Sequence, residues 1–519
     1  MSHRQRIFWA AVVAGLTVFF ACDGGSPDDG ANTAAIKPVP VLSVMTPGET
    51  EITSKEDWVK GAVLSLSGSA DEGWDFSAVT ASIRGRGNST WAQPKKPYAL
   101  KLDKKRDIMG MPGHKRWVLI ANYLDNSFMR NCMAFYLSRQ LGADYTVRGE
   151  FVMLTLNGAD KGLYWLGEAI KPDKNRVDID EDEDFLLELD VYYDEAWKFT
   201  SAVKQLPYMI KNDDAMTDGR LETLQEKIAV LEQALYPADG GAPDESYLRM
   251  LDIDSWAKFY LVNELMSNNE LKHPKSCYLT FTVADSLLKA GPIWDFDWAS
   301  LSQTGCTLTN TLYYDALFKS SAFKERLKEI WNEHCGNINI AEEIKRLRDT
   351  IYAAQLADAA IWEAHLDPSG IPRDGFDAYV DFLQETLCKK YAAVDRMVRG
   401  LLGFPRGTFP VDGVGGRKLT ASADSVCGSV WLYRQAVAED DQHCHDDAEH
   451  DHQDDCRGDG GNQRGFVRCR PAARERRGHA EHDGAERMVE AVPQRAVTVF
   501  AQQQDDKADD EQQNQESED

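Results

Sequence analysis

Residues 291–299 read Gly-Pro-Ile-Trp-Asp-Phe-Asp-Trp-Ala, with two carboxylates among three aromatic residues. Two strand-like runs precede them, at residues 276–283 and 286–290. On an extended backbone neighbouring side chains point to opposite faces, so Asp295 and Asp297 would share one face. Two carboxylates held side by side among aromatic residues favour a divalent cation with oxygen ligands. The alternative is an exposed turn in which both acids are solvated.

The composition is that of a globular protein with a strongly acidic balance. The chain has 519 residues, 43% of them apolar, and a formal charge of −26. This length suits several domains or one large domain with tails. The acidic balance argues against nucleic acid as a partner. The ten cysteines include no Cys-x-x-Cys pair, so their spacing predicts neither a disulfide framework nor a zinc site.

The N-terminus has the pattern of an export signal. Arg4 and Arg6 precede an apolar run at residues 7–21, which is too short for a comfortable membrane span. Phe-Phe-Ala before Cys22 resembles the lipobox of bacterial lipoproteins. That resemblance implies a signal peptide ending at Cys22, lipid attachment to this cysteine, and anchoring in the cell envelope, at the outer membrane or cell surface. The alternative is an ordinary cleaved signal peptide with an incidental cysteine. Residues 23–54 are then predicted to form a flexible tether, because Gly, Ser, Asp and Pro are frequent in its first half.

A glycine loop follows the first predicted strands. Residues 84–91 read Arg-Gly-Arg-Gly-Asn-Ser-Thr-Trp, in which glycines allow close backbone approach and Arg84 could hold an oxyanion. The loop lacks the Gly-Lys-Ser/Thr ending of a P-loop, so taken alone it favours a tight turn with exposed arginines. Residues 98–102 alternate apolar and polar, which predicts a half-buried strand with Lys101 on its other face.

These motifs together resemble the CotH family, the spore-coat-protein-H-like atypical kinases. The resemblance covers about residues 55–405, and its motifs occur in one order at residues 84–91, 95–102, 109–112, 116–123, 129–131, 156–158, 162–168, 176–179, 187–190 and 291–299. It implies an α+β fold, namely an atypical protein-kinase-like two-lobed domain with a strand-rich N-lobe and a helical C-lobe. The short strands before residue 200 fit such a first lobe.

A lysine and a glutamate from separate strands can pair and hold the α- and β-phosphates of a nucleotide, as in kinases. Lys101 and Glu168 are the candidate pair for cofactor binding, with Lys96 and Arg84 as alternates. A solvated strand lysine is the ordinary alternative for Lys101.

The second half of the chain has helical periodicity. Apolar residues three and four apart between 221 and 235 predict one helix, and residues 255–267 predict another that Asp252 or Asp254 could cap. Residues 341–366 and 376–402 predict two more helices. The polar loop at residues 267–276 leads into the strand before the aspartates.

A kinase fold would place its catalytic loop at this position before the metal-binding aspartate, so Glu270 is the candidate base. The family commonly has aspartate there, so the extra methylene in this chain raises a question about activity. The loop compensates, or catalysis is weak, or the protein is a pseudoenzyme. Asn268 is a candidate further metal ligand, and Lys275 could neutralise a phosphate.

The resemblance implies transfer of the ATP γ-phosphate to a serine or threonine of a secreted or surface protein. Asp295 and Asp297 would hold Mg²⁺ or Mn²⁺, and Glu270 would act as the base. ATP is not expected to be plentiful outside the inner membrane, so a non-catalytic cell-surface lipoprotein that binds or scaffolds is the first alternative. The second is a glycan hydrolase with Asp295 and Glu270 flanking a sugar bond.

The end of the chain differs from the rest. Residues 406–519 are predicted to be a low-complexity, disordered tail, with acids and histidines at 439–461 and arginines at 464–477. Its irregular spacing argues against a metal site. Because its composition bears no relation to the preceding domain, a second hypothesis is that it is read out of frame.

Overall fold

The first part of the chain folds into a closed seven-stranded β-barrel. The computed structural model of the protein describes residues 38–362 and 375–401. The barrel strands are β1 (Val41–Met45), β2 (Val59–Ser67), β3 (Phe76–Gly85), β4 (Tyr98–Ile108), β5 (Met111–Ile120), β6 (Gly149–Leu156) and β7 (Ala159–Glu168). Their order is β1-β2-β3-β4-β5-β7-β6, and a parallel pairing of β1 with β6 closes the barrel. Alternate residues of each strand fill its interior, because side chains alternate between the two faces of a strand.

The prediction of a flexible tether over residues 23–54 is wrong from Val41 onward. Leu42 and Val44 are 1% and 0% exposed inside the barrel. Val41–Met45 pairs with β2 on one side and β6 on the other, so this segment closes the barrel. The Val-Leu-Ser-Val-Met pattern alternates weakly, which explains why composition alone hid the strand.

A second sheet follows the barrel. Its strands are β8 (Phe185–Leu189), β9 (Lys198–Thr200), β10 (Pro207–Ile210), β11 (Cys277–Thr282) and β12 (Leu287–Ala290). The order is β12-β11-β8-β10-β9, with every pairing antiparallel. All five residues of β8 are buried, since it lies near the middle of the sheet with the helices packed against it.

The described residues also contain seven α-helices. They are α1 (Arg130–Gln140), α2 (Asp218–Leu235), α3 (Ile253–Leu265), α4 (Tyr314–Leu317), α5 (Ser321–His334), α6 (Ile340–Ala359) and α7 (Gly375–Gly400). The predicted helices at residues 221–235 and 255–267 are confirmed as α2 and α3. The Asp252 carboxylate accepts hydrogen bonds from the first backbone amides of α3, as a cap should.

The described chain has a strand-rich N-terminal region and a helical C-terminal part, which confirms the predicted α+β fold class. Among the described residues, no helix is long and apolar enough to cross a membrane. The predicted signal peptide with Cys22, the start of the tether and the tail at residues 406–519 lie outside the described residues.

Candidate functional site

A cleft of about 530 Å³ lies where the ends of β3 and β5 face β8, β10 and β11. One wall is the glycine loop after β3, and the opposite wall carries Glu270, Asp295 and Asp297. The structure therefore brings the two motifs that the sequence singled out into one concave site. Concave sites with a few convergent polar groups are the usual places for ligands.

The segment around Asp295 is an irregular turn, and the expected extended strand is not formed. Asp295 has a φ of +67°, a conformation that L-residues other than glycine adopt rarely. The Asn131 side chain of α1 accepts a hydrogen bond from the Phe296 N–H at 2.8 Å, and Ser276 Oγ donates to Asp295 Oδ2 at 3.3 Å. Phe296 lies in the core while Trp298 is 47% exposed. These contacts hold the strained turn so that both carboxylates lie at the cleft.

Asp297 is a buried carboxylate without full compensation. It is 4% exposed, and its Oδ1 has no hydrogen-bond partner. Burial raises its pKa well above the ordinary value, and repulsion from Asp295 and Asp125 adds to the shift. Arg130 opposes the shift, but it does not outweigh burial. A positive ligand group beside Asp297 would be favourable, because it would stabilise the ionised carboxylate.

Glu270 stands in a short 3₁₀ helix, Asn269–Lys272. Its Oε2 is buried and has no hydrogen-bond partner. Burial raises the pKa of Glu270 to about 9, repulsion from Asp295 contributes, and Lys275 opposes the shift. Asp295 thus disfavours the ionised form of both Glu270 and Asp297, and Asp297 does the same to Glu270.

The donor set suits a hard divalent cation. Carboxylate oxygens are the ligands that Mg²⁺ and Mn²⁺ prefer, and Glu270 and Asp297 each have a buried oxygen without a partner. Residues 38–362 and 375–401 contain no group of three or more His, Cys, Asp or Glu side chains spaced to hold a metal. A cation here would therefore need ligands from phosphate and water, as is usual for Mg²⁺.

Asn268 does not fit the ligand role that the sequence suggested. It is 3% exposed and does not line the cleft. Its Oδ1 accepts from the Glu270 N–H at 3.1 Å, and its Nδ2 donates to Asn263 Oδ1 at 3.0 Å. Asn268 therefore caps the short helix and positions Glu270.

The glycine loop presents free amides to the cleft. Among the described residues, the backbone N–H groups of residues 87–90 donate no hydrogen bond. Gly87 has a φ of +80°, and a Cβ there would lie 2.1 Å from Thr90 Oγ1. Successive free amides in such a turn form an anion-binding concavity. Arg86 crosses toward the other wall, with its guanidinium 5.5 Å from the Trp294 ring centre.

A family model described as CotH kinase protein matches residues 83–394. The chain belongs to the CotH kinase protein family. The matched region begins at the glycine loop and includes Glu270, Asp295 and Asp297, so it contains both walls of the cleft. No curated protein matches the chain significantly.

The predicted Lys101–Glu168 pair of this CotH protein is wrong. Lys101 lies opposite Arg116 and Glu168 lies opposite Trp117. Arg116 and Trp117 are neighbours on β5, so their partners lie on opposite faces of the sheet. Lys101 is exposed, and Glu168 is fully buried with Arg148 Nη2 at 2.7 Å from its Oε1.

The two alternates for cofactor binding have different positions. Arg84 lines the cleft, where its Nη1 donates to the Glu56 carbonyl at 3.1 Å and its Nε lacks a partner. Lys96 does not line the cleft, and its Nζ donates to the Trp91 carbonyl at 2.6 Å. Only Arg84 can therefore contact a ligand in the cleft without rearrangement.

Sequence reasoning gave no role to several charged residues of the cleft. Lys211 Nζ lies 2.9 Å from Glu188 Oε2 and also pairs with Glu195. Asp190 accepts hydrogen bonds from the amides of Tyr192 and Ser276, which ties the end of β8 to the start of β11. Lys211 and Asp190 each directly follow a buried strand, and that position was the available signal, because functional groups gather on loops at strand ends.

Proposed function

We propose that this protein is an atypical kinase that transfers the γ-phosphate of ATP to a serine or threonine hydroxyl of a secreted or surface protein. The observation that carries the proposal is the meeting of free loop amides and buried carboxylates across one cleft. The amides suit phosphate oxygens, and the carboxylates suit positive charge. Membership of the CotH kinase protein family supports a kinase-like activity. The barrel and helical regions would be the two lobes of a kinase-like fold.

The glycine loop would bind the phosphates through its backbone. The amides of residues 87–90 would donate to phosphate oxygens, and Arg84 has an unpartnered Nε for the same purpose. The 530 Å³ cleft is large enough for most of a nucleotide. Phosphoryl transfer needs mainly positioning and charge stabilisation, which this wall would supply.

Asp295 and Asp297 would hold Mg²⁺ or Mn²⁺, which when bound supplies positive charge against the triphosphate. The chain contributes by keeping these carboxylates in place. Asn131 fixes the backbone between them, and Ser276 contacts Asp295 directly. Such fixed oxygens need no rearrangement during the reaction.

Glu270 would accept the proton of the attacking hydroxyl. With its pKa at about 9, it is protonated at neutral pH in the unliganded protein. It becomes a base only in a complex that adds positive charge beside it, as Lys275 already does in part. Asn268 holds the Glu270 backbone, which limits how far the longer side chain moves the carboxylate.

We also propose that the protein is exported and anchored in the bacterial envelope through a lipid on Cys22. The support is the sequence pattern at residues 1–22. A non-catalytic binding protein with the same cleft is the second candidate. It is favoured by Glu270 at the place where the family resemblance implies aspartate.

Thermal unfolding of the full chain with millimolar ATP, with and without Mn²⁺, tests the proposal. Binding to the folded state stabilises it, by about 2.7 kcal/mol at a ligand concentration of about 100 times Kd. We expect a metal-dependent rise in Tm that Asp295→Asn abolishes, since asparagine tolerates the positive φ at this position. The control Asp285→Asn, at an exposed turn, should retain the rise.

Label transfer from γ-labelled ATP to the chain or to an added protein is the second measurement. A Tm rise with transfer supports the kinase. A rise without transfer favours the non-catalytic binding protein, and no rise at millimolar ATP overturns nucleotide binding altogether.

A further inference from the structure

Three cations lie on one outer face of the barrel beside the cleft. Lys101 on β4 is opposite Ser82 on β3 and Arg116 on β5, so these three residues share a face. Arg84 is two residues beyond Ser82 and therefore points to the same side. Ile83, Leu100 and Trp117, their neighbours along the strands, point into the barrel interior. We call Arg84, Lys101 and Arg116, together with Trp58 and Lys171 described below, the basic face.

Trp58 makes cation–π contacts with two of these cations. The guanidinium carbon of Arg84 lies 4.7 Å from the ring centre of Trp58, and that of Arg116 lies 5.2 Å from the same ring. Each guanidinium is attracted to the ring electrons, which partly offsets the repulsion between the two like charges. The Trp58 ring therefore contacts two positive groups at once.

Lys171 extends the basic face beyond β7. Its Nζ has one protein partner, the backbone carbonyl of Lys211 at 3.3 Å. Burial lowers the pKa of Lys171, and repulsion from Arg116 and Lys211 lowers it further. The pKa of Arg116 is lowered for the same reasons, by burial and by Arg84.

The basic face is poorly neutralised. In the described part of the chain, the side chains of Lys101 and Arg116 make no hydrogen bond and no ion pair within 4 Å. Glu195 and then Asp213 attract Lys171, and Asp214 attracts Arg116, but none of these acids forms an ion pair with them within 4 Å. Lys211, by contrast, is fully paired with Glu188 and Glu195. Several positive groups left without ion pairs on one face create a local positive potential that favours an anionic group, on a chain whose net charge is −26.

We propose that the basic face docks an acidic segment of the acceptor protein, with aspartate, glutamate or phosphoserine side chains, next to the cleft. This inference rests on the proposed kinase function. Adjacent strands are about 4.8 Å apart, so cations on β3, β4 and β5 span roughly 10 Å, which is wider than one phosphate group. Arg84 also lines the cleft, so a segment bound on the basic face would continue toward Asp295.

The test uses fluorescein-labelled octaglutamate and fluorescence anisotropy with the full chain. The variant Arg116→Gln/Lys171→Gln removes two cations that do not line the cleft. We expect about tenfold weaker binding than in the wild type, and weaker wild-type binding at high salt. The control Lys227→Gln removes an exposed lysine of α2 and should change Kd by less than about twofold.

Three outcomes overturn the inference. The first is wild-type protein that does not bind octaglutamate at millimolar concentration, and the second is a double variant that binds it as tightly as the wild type. The third is binding of phosphatidylglycerol vesicles in place of the peptide, with the same loss in the double variant, which would make the basic face a lipid contact. ATP-dependent stabilisation, measured in parallel, should be unchanged in the double variant. If the wild type lacks that stabilisation, the kinase proposal fails while peptide docking is judged separately.

Discussion

Replacing Glu270 by glutamine should stabilise the unliganded protein at neutral pH. Glu270 has a buried oxygen without a partner, and Asp295 repels its charge. Glutamine keeps the shape of the side chain and removes the charge. The stabilisation follows from the raised pKa, because the folded protein must keep a proton on Glu270 that the unfolded chain has already released.

The size of the effect comes from the pKa shift. The pKa of Glu270 rises from 4.5 to about 9 on folding. At about pH 7, roughly 2.5 units above the unfolded-state pKa, keeping Glu270 protonated in the folded protein lowers the free energy of unfolding by about 3.4 kcal/mol, at about 1.36 kcal/mol per unit. Partial exposure of Glu270 and its coupling to Asp295 reduce this figure, so we expect a gain of about 1.5–3 kcal/mol.

The direction of the Glu270 pKa shift determines how stability depends on pH. A raised carboxyl pKa makes wild-type stability fall as pH rises between 4.5 and about 9. The advantage of Glu270→Gln should therefore be present at about pH 7 and should vanish at about pH 4, where the wild-type carboxyl is protonated in both states. Urea unfolding of the full chain at both pH values measures it, with Glu325→Gln as an exposed control on α5.

Two results would contradict electrostatic strain at Glu270. A variant that is no more stable than the wild type at about pH 7 would mean that Glu270 is not electrostatically strained. An equal gain at both pH values would mean that packing, and not charge, produces the effect.

Two further predictions concern the glycine loop and the barrel. Gly87→Ala should abolish the ATP-dependent rise in Tm. It should also lower the free energy of unfolding in urea by about 1–2 kcal/mol, because the alanine would have to adopt a φ of +80°. Gly219→Ala is the control, since the space around the added Cβ is open. Lys95→Met should cost about 3–5 kcal/mol, because Lys95 is 1% exposed and its Nζ lies 2.5 Å from Asp358 Oδ1. Lys95→Met/Asp358→Asn should recover part of that loss, and equal losses in the single and double variants would contradict the pairing.

Local patterns were sufficient to find the helices and the two main site motifs. The apolar spacing at residues 221–235 and the cap at Asp252 depend on contacts within a few residues, and the structure confirms both. The glycine loop and the carboxylates at Asp295 and Asp297 are also short motifs, and both line the cleft. A pattern that specifies its own local backbone can be read before the fold is known.

Pairings between distant strands could not be read in this way. Lys101 and Glu168 look compatible in sequence, but one step of register on β5 separates them to opposite faces of the sheet. The Lys95–Asp358 pair joins positions 263 residues apart, and no local signal links them. The basic face was equally hidden, because it depends on the register of three strands and on Trp58 from the loop before β2.

The distribution of unsatisfied charge supports a ligand site in the cleft. In the described core, Lys390 and Glu264 are both fully buried and 2.7 Å apart, and Glu264 also accepts hydrogen bonds from the amides of Thr307 and Leu308. In the cleft, by contrast, Glu270 and Asp297 have buried oxygens without partners. Buried carboxyl groups without partners at a concave surface make the unliganded protein less stable. That loss is recovered by any ligand that brings the missing charge, so the same residues that weaken the free protein strengthen binding.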